Sequence, residues 1–258
     1  MQIFLLNLPR RADRRVAALR EFRRHGLPCT IVEAYDASLM PKSLIGMRFR
    51  KDGPLGELSS GDMACTLSHI RALTAFLASG NDYGVVCEDD IAFSDEAARW
   101  LTSCDWIPAG IDLIKLERFG APGQHIVGSS HLLVQDRHLL RLLSKHCGAA
   151  AYVISRHGAQ QVLRHCAGRL TVPIDHLLFN PNNSPLVQRL IPWQLTPAIA
   201  EQRALATDIH ATRRRECPHG LAYLRRELVR GWYELRRLPR QIANVCTRQA
   251  SVQRMLLR

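Results

Sequence analysis

The sequence predicts an α/β fold in which a β-sheet lies between layers of helices. Short apolar runs typical of buried strands alternate with longer segments whose apolar residues follow helical spacing. Ser, Asp and Gly stand at the boundaries between these segments, as expected where helices begin and end. The 258 residues are 47% hydrophobic, which is enough for one sizeable domain with its own core.

The first part of the chain predicts two strands and two helices. Ile3–Asn7 is expected to form a buried strand, and residues 13–26 a helix capped by Asp13. A second strand is expected in CTIVEAY. Residues 40–58 mix Gly, Pro and charge and predict a loop, and residues 59–79 predict a long helix.

The second part continues the alternation. GNDYGVVCEDD predicts a turn and a strand, and SDEAARWL begins a helix capped by Ser94. DLIKLE predicts a strand and HIVGSSHLLVQ a hairpin. GAAAYVISRHGAQQVLRHC predicts a strand and then a helix capped by Ser155. After PIDHLLFN, an irregular stretch is expected to about Arg203.

Positive charge is concentrated at the end of the chain. The net charge is +12, and residues 213–258 hold twelve Arg against three Glu, a local balance of +9. The sequence therefore predicts a main domain over residues 1–212 and a basic amphipathic helical tail over residues 213–258. The tail has neither an RNP-like aromatic motif nor zinc-finger spacing, so nucleic acid is not a predicted partner.

The compartment is predicted from three features. The apolar stretch in MQIFLLNLPRRADRR is too short for a signal peptide, and its positive charges follow that stretch. No apolar run reaches the roughly 18 residues that a membrane span needs. The eight cysteines form no CxxC pair. A reducing, cytoplasmic location is expected.

An apolar stripe runs along the predicted tail helix. Leu221, Leu224, Leu228, Trp232 and Leu235 share one helical face, with arginines elsewhere. This pattern favours a helix lying on an anionic membrane surface, and predicts a peripheral protein on the inner face of the membrane. The alternative is a helix packed on the domain with a solvated basic face.

Three adjacent acids end the apolar run VVCEDD. Glu88 and Asp90 flank Asp89, and side chains two apart on an extended segment point the same way. Both could face one hard cation, such as Mg²⁺ or Mn²⁺. The alternative is a solvated turn with acids just before a helix N-terminus, where the macrodipole favours negative charge.

Other candidate motifs carry less information. Ser68 and His69 cannot act as a dyad, because neighbours on a helix do not face each other. His69 on its own is more often a core or supporting histidine. GAPG and GSSH lack the spacing of phosphate-binding loops. Asp175, in TVPIDHLLFN, could be a general base facing the cleft or a cap for the helix that follows.

Three stretches occur together in one order. They are IFLLNLPRRADRR, then SSGDMACTLSHIRAL with VVCEDDIAF, and finally GAAAYVISRHGAQQVL with PIDHLLF. Over about residues 1–202 the chain resembles glycosyltransferase family 25, which includes bacterial β-galactosyltransferases of lipopolysaccharide biosynthesis and the collagen galactosyltransferases. The resemblance implies a GT-A-like mixed sheet flanked by helices, here with a C-terminal basic helical extension. It also implies a bound nucleotide sugar and a divalent cation, Mn²⁺ or Mg²⁺.

The resemblance implies roles for individual positions. Glu88 and Asp90 become the predicted metal ligands. Asp175, which aligns with the family's proline-x-Asp segment, is the predicted base, with Asp89 and Glu88 as the alternatives. Two positions depart from the family pattern: Ala37 stands where glycine is usual, and Asp62 where glutamate is. The residues predicted to bind the nucleotide sugar are Asn7, Leu8, Arg10, Asp13, Arg14, Asp36, His69, Asp89 and Gln202.

The resemblance implies metal-dependent sugar transfer with inversion at the anomeric carbon. A cation bridging Asp90 to the donor's phosphates would stabilise the negative charge that develops there. The donor expected is a UDP-sugar, with UDP-galactose first, and the acceptor a lipid-linked saccharide such as a lipooligosaccharide, or a related oligosaccharide. The rival hypotheses are a nucleic-acid-binding module acting through the tail, a catalytically silent glycan-binding relative, and a metal-dependent phosphohydrolase.

Overall fold

The computed structural model describes residues 1–119, 125–203, 212, 216, 220–236, 238–247 and 250–257. Within these residues, nine strands form one mixed sheet with helices on both faces. The predicted α/β fold, a mixed sheet flanked by helices, is confirmed. Several residues of the predicted tail lie outside the described residues, namely 213–215, 217–219, 237, 248, 249 and 258.

The elements are numbered in chain order. The helices are α1 (Ala12–Arg24), α2 (Lys42–Arg48), α3 (Ser60–Ala78), α4 (Ala97–Leu101), α5 (Arg156–Cys166), α6 (Ile174–Phe179), α7 (Val187–Leu190), α8 (Leu221–Leu235) and α9 (Leu238–Cys246). The strands are β1 (Gln2–Asn7), β2 (Thr30–Glu33), β3 (Tyr83–Glu88), β4 (Ile91–Phe93), β5 (Leu113–Lys115), β6 (Glu117–Arg118), β7 (His125–Val134), β8 (Arg137–Leu142), β9 (Ala151–Ser155), β10 (Trp193–Thr196), β11 (Ala200–Gln202) and β12 (Ser251–Arg254).

The sheet order is β12-β7-β8-β10-β5-β9-β3-β1-β2. Strand β1 lies between β2 and β3 and is parallel to both, with Asn7 opposite Glu33 and Leu6 opposite Glu88. The carboxyl ends of these three strands therefore meet at one edge of the sheet. Strand β9 runs antiparallel to β3, so the amino end of β9 reaches the same edge.

Strand β1 shows how the core divides between the two faces. Phe4 and Leu6 point to one face, where they pack with α3, α5 and α6, and Ile3 and Leu5 point to the other, with α1 and α4. This alternation follows from the two-residue period of a strand. Because both faces are covered, β1 reads in the sequence as a continuous apolar run.

Some local predictions were wrong. The loop expected over residues 40–58 contains α2, and the irregular stretch before Arg203 contains α7, β10 and β11. HIVGSSHLLVQ is not a hairpin by itself, because His125–Val134 is a single strand that pairs with β8. The cap position of α1 belongs to Arg11 rather than Asp13, and that of α4 to Glu96 rather than Ser94.

The end of the chain returns to the main sheet. After α8 and α9, β12 pairs antiparallel with β7, and Met255 is fully buried. The tail prediction contained no such strand, because SVQR has no apolar alternation and is held by backbone hydrogen bonds at the sheet edge. Within the described parts of the chain, no helix is both long and apolar enough to cross a bilayer.

Candidate active site

Polar side chains gather where β1, β2 and β3 end. Asn7 is the last residue of β1 and Glu88 the last of β3, while Asp36 follows β2 and accepts a hydrogen bond from the Ser38 backbone at 2.9 Å. Arg10 forms an ion pair with Asp36 across this edge. Open α/β sheets bind ligands at the carboxyl ends of their strands, so this edge is the natural location for a site.

A buried arginine holds two of the three acids. Arg14, from α1, forms an ion pair with Asp89 and lies 3.0 Å from Asp90. The other Asp89 oxygen accepts a hydrogen bond from Asn7 Nδ2 at 2.7 Å. The Oδ1 atom of Asn7 is buried and has no hydrogen-bond partner among the described residues. This amide oxygen is therefore available as a metal ligand beside the acids.

Glu88 faces helix α3 rather than Arg14. Its Oε1 lies 3.2 Å from His69 Nε2, and the other ring nitrogen of His69 lies 3.1 Å from the Tyr152 hydroxyl. The Cys65 thiol approaches the same Oε1 at 3.7 Å. Gln202 lies between Glu88 and Asp90, with its Nε2 at 3.4 Å from one carboxylate and 3.5 Å from the other. One side-chain amide thus connects the two predicted metal ligands.

The negative charge of Glu88, Asp89 and Asp90 exceeds the positive charge of the Arg14 guanidinium that pairs with two of them. Burial, and then the charge of Glu88, raises the pKa of Asp90 to about 7. Burial also raises the pKa of Asp89, against the opposing effect of Arg14. A divalent cation would supply the missing positive charge, and carboxylate and amide oxygens are the ligands that Mg²⁺ and Mn²⁺ prefer. The residues present therefore fit such an ion by charge and by donor chemistry.

A second group of polar side chains lies around Asp175. In the first turn of α6, one carboxylate oxygen of Asp175 accepts a hydrogen bond from the next backbone N–H at 2.8 Å. Ligand atoms of Asp175, His176 and Cys147 lie within 4.8 Å of one another. Pro173 holds the cap position itself, and Asp175 satisfies one of the backbone N–H groups that the first turn of α6 leaves without an intrahelical partner.

Cys65 connects the two groups. Burial raises the pKa of the Cys65 thiol well above its usual range, and the negative charges of Glu88 and then Asp175 raise it further. Both carboxylates therefore act on the same thiol. Asp175 is near the acidic edge but outside the cluster held by Arg14.

The remaining predicted residues lie at the rim. Leu8 is half-buried, directly after β1. Asp13 lies on the exposed side of α1, and its hydrogen bond from Arg11 lowers the pKa of that carboxyl to about 2. The structure thus brings Asn7, Arg14, His69 and Gln202 together with the acids. Leu8, Arg10, Asp13 and Asp36 lie around them.

Sequence reasoning missed several residues at this edge. Cys65 stands four positions before His69 on α3, so helical spacing could have placed both on one face. Tyr152 gave no such signal. Nor did the buried Lys115–Glu117 ion pair, whose atoms Nζ and Oε1 are 2.7 Å apart. Glu117 also accepts a hydrogen bond from the Ala150 backbone, whose carbonyl in turn accepts one from Glu88 N at 2.9 Å.

Comparisons with known proteins agree on one family. The model of the family described as "Glycosyltransferase family 25 (LPS biosynthesis protein)" matches residues 1–178. The lipooligosaccharide biosynthesis protein lic2B of Haemophilus influenzae is 24% identical over 208 residues, which are 77% of this chain and 75% of that protein. The lacto-N-neotetraose biosynthesis glycosyltransferase LgtB of Neisseria gonorrhoeae is 26% identical over 229 residues, or 81% and 77% of the two chains.

A solved structure also matches the chain. It is a glycosyltransferase involved in glycosylation of the major capsid of PBCV-1, with a TM-score of 0.41 and 8% identity. The match covers 83% of this chain and 97% of that one.

Proposed function

We propose that this chain, which belongs to glycosyltransferase family 25, transfers a hexose from a nucleotide sugar to a glycan acceptor with inversion at the anomeric carbon. The first candidate for the donor is UDP-galactose, and for the acceptor a lipooligosaccharide or related saccharide. The observation that carries the proposal is the cluster of Glu88, Asp89 and Asp90, whose negative charge exceeds the positive charge of Arg14, the arginine that pairs with Asp89 and Asp90. A nucleotide sugar brings a pyrophosphate, which binds to such acids only through a cation.

The proposed cofactor is Mn²⁺ or Mg²⁺, held by Glu88 and Asp90 with the unpartnered Oδ1 of Asn7 nearby. Bound there, the ion would act as a Lewis acid on the phosphate oxygens of the leaving nucleotide. Arg14 fixes Asp89 and Asp90, and His69 orients Glu88 by its hydrogen bond. These contacts hold the carboxylates in place before any ligand arrives.

Asp175 is the proposed general base. Inversion requires a general base to accept the proton of the acceptor hydroxyl while the oxygen of that hydroxyl bonds to the anomeric carbon. The Asp175 carboxylate is proposed for this role. As that bond forms, the bond between this carbon and the nucleotide's terminal phosphate oxygen breaks, and the nucleoside diphosphate leaves. Asp175 lies near the acids at 88–90 but groups with Cys147 and His176 rather than with the acids, which supports a separate role for it.

The proposed partners are a UDP-sugar, a lipid-linked or oligosaccharide acceptor, and an anionic membrane surface contacted through the C-terminal helices. Among the described residues, those helices expose both arginines and large apolar side chains. This combination supports a membrane surface more than nucleic acid, which would need no apolar stripe.

The test uses Asp90→Asn, with Asp95→Asn as the matched control because that side chain is 88% exposed. UDP release from UDP-galactose is measured with and without Mn²⁺. We expect Asp90→Asn to reduce Mn²⁺-dependent release by at least about 100-fold. Asp95→Asn should behave like the wild type.

Two results would contradict the proposal. Equal UDP release by wild type and Asp90→Asn would remove the metal role of this residue. A wild-type protein that neither turns over UDP-sugars nor is stabilised by them with Mn²⁺ would favour a catalytically silent relative.

A further inference from the structure

Among the described residues, helices α8 and α9 expose a series of large apolar side chains. On α8, Leu221, Leu228 and Trp232 are 87%, 69% and 66% exposed. The series continues with residues that are 46–62% exposed, namely Leu224, Leu235, Leu238 and Ile242. Such a stripe is far larger than the scattered apolar residues of an ordinary surface, which indicates that something covers it.

The two helices are attached to the domain on both sides. Before α8, the Glu216 carboxylate accepts hydrogen bonds from the Ser60 backbone and hydroxyl at 2.7 and 2.6 Å. After α9, strand β12 is paired with β7 in the main sheet. On α8 itself, the Arg226 side chain lies close against Gly56. The segment is therefore held against the domain by its polar side.

Arginines border the stripe. At 100° per residue, Arg225 and Arg236 lie at one edge of the row formed by Leu221, Leu228 and Trp232, and both arginines are exposed. Glu227 lies away from the stripe, where it pairs with Arg226 and Arg230. An apolar stripe edged by arginine is complementary to a bilayer surface of anionic lipid.

A second copy of this chain is a poorer occupant. Two stripes packed antiparallel would bring the arginine edges of both copies together, and like charges in contact are destabilising. The anionic headgroups of a bilayer instead pair with these arginines while its acyl chains receive the leucines and the tryptophan.

We propose that α8 and α9 form a fixed membrane-docking platform that seats the protein on an anionic bilayer. The platform is attached at Ser60, the first residue of α3, and Cys65 and His69 follow within about 15 Å along that helix. Docking therefore holds the acidic edge at a set distance from the lipid. The binding of lipid stands on the helices alone, whereas the benefit for a lipid-linked acceptor rests on the proposed function.

The test is co-sedimentation of the full chain with vesicles of phosphatidylcholine alone or mixed with phosphatidylglycerol. We expect binding to the anionic vesicles that weakens as salt is raised. Leu228→Glu combined with Trp232→Glu should reduce binding at least about tenfold. Arg225→Gln combined with Arg236→Gln should reduce it about fivefold for each arginine. Leu133→Glu is the control, because Leu133 is 68% exposed on β7.

The outcomes separate this proposal from the proposed function. Equal binding to both vesicle types, no binding to either, or a wild-type dimer abolished by the paired glutamates would each overturn the platform. Circular dichroism shows whether the variants fold. UDP release from UDP-galactose without acceptor should be unchanged in the platform variants. Vesicle binding without UDP-sugar turnover would support the platform and contradict the proposed transferase activity. UDP-sugar turnover without vesicle binding would support the transferase activity and contradict the platform.

Discussion

The guanidinium of Arg14 lies 3.0 Å from the carboxylate of Asp90, and both side chains are almost completely buried. The same guanidinium also pairs with Asp89. One cation thus serves two acids that the sequence places next to each other. The contact joins the first helix to the turn after β3, and so ties the packing of α1 to the geometry of the site.

Arg14→Ala should lower the free energy of unfolding by about 3 kcal/mol at pH 8, because it leaves buried carboxylates without their partner. The loss should be smaller at pH 6, where Asp90, whose pKa is raised to about 7, is mostly neutral. Urea denaturation followed by circular dichroism measures both values. Arg20→Ala, at an exposed position of α1, is the control. Equal losses in the two variants would show that the buried contacts contribute nothing.

Asp175→Asn should reduce kcat for sugar transfer by about 100-fold or more while the affinity for the donor stays close to that of the wild type. The amide cannot accept the proton of the acceptor hydroxyl, and Asp175 lies outside the cluster that is proposed to hold the cation. Single-turnover kinetics and donor titration separate the two quantities. Asp112→Asn is the control on another loop. A normal kcat in Asp175→Asn would assign the base to another residue.

The strand–helix order could be read from the sequence wherever apolar spacing was strong. Helix α3 was predicted over 59–79 and spans Ser60–Ala78, with Ser59 accepting the capping hydrogen bond from Asp62 N. Strand β12 could not be found, because its place depends on the edge that β7 offers. Backbone pairing of this kind leaves no pattern in the side chains.

The site divides in the same way. The carboxylates of Glu88 and Asp90 stood out in the sequence because like charges rarely follow an apolar run. Their partners gave no such local signal, since Arg14 is one of many arginines and Gln202 comes from a strand more than 100 residues later. Both were predicted only through the family resemblance, which did not indicate their contacts with the acids. Contacts between such distant residues are set by the sheet order, which local spacing does not reveal.

His146 illustrates a buried group whose protonation state follows from its contacts. The backbone N–H of Phe119 donates to its Nε2 at 3.4 Å, so the ring proton is on Nδ1 and is donated to the Gln194 side-chain oxygen at 2.9 Å. Burial, and then the charge of Lys115, lowers the pKa of His146 to about 3. The folded protein therefore keeps this ring neutral across the whole range from pH 7 to pH 4.

The contribution of His146 to stability should fall as the pH drops below about 6.5, because the unfolded chain then binds a proton at this ring that the folded chain does not. The raised pKa of Asp90 acts in the opposite direction over the same range, so the effect of His146 is measured as a difference between wild type and variant. At pH 5 this single group should lower the free energy of unfolding by about 2 kcal/mol relative to pH 8. His146→Gln keeps a donor and an acceptor but does not titrate, so between pH 8 and pH 5 the wild type should lose about 2 kcal/mol of stability relative to this variant. Urea denaturation at each pH measures the difference.

The control is His138→Gln, at an exposed position of β8, which should keep the wild-type dependence. Part of the dependence should remain in His146→Gln, since burial also lowers the pKa of His165. Identical pH profiles for wild type and His146→Gln would mean that the ring is protonated in the folded state, against the hydrogen bond that Phe119 donates to it.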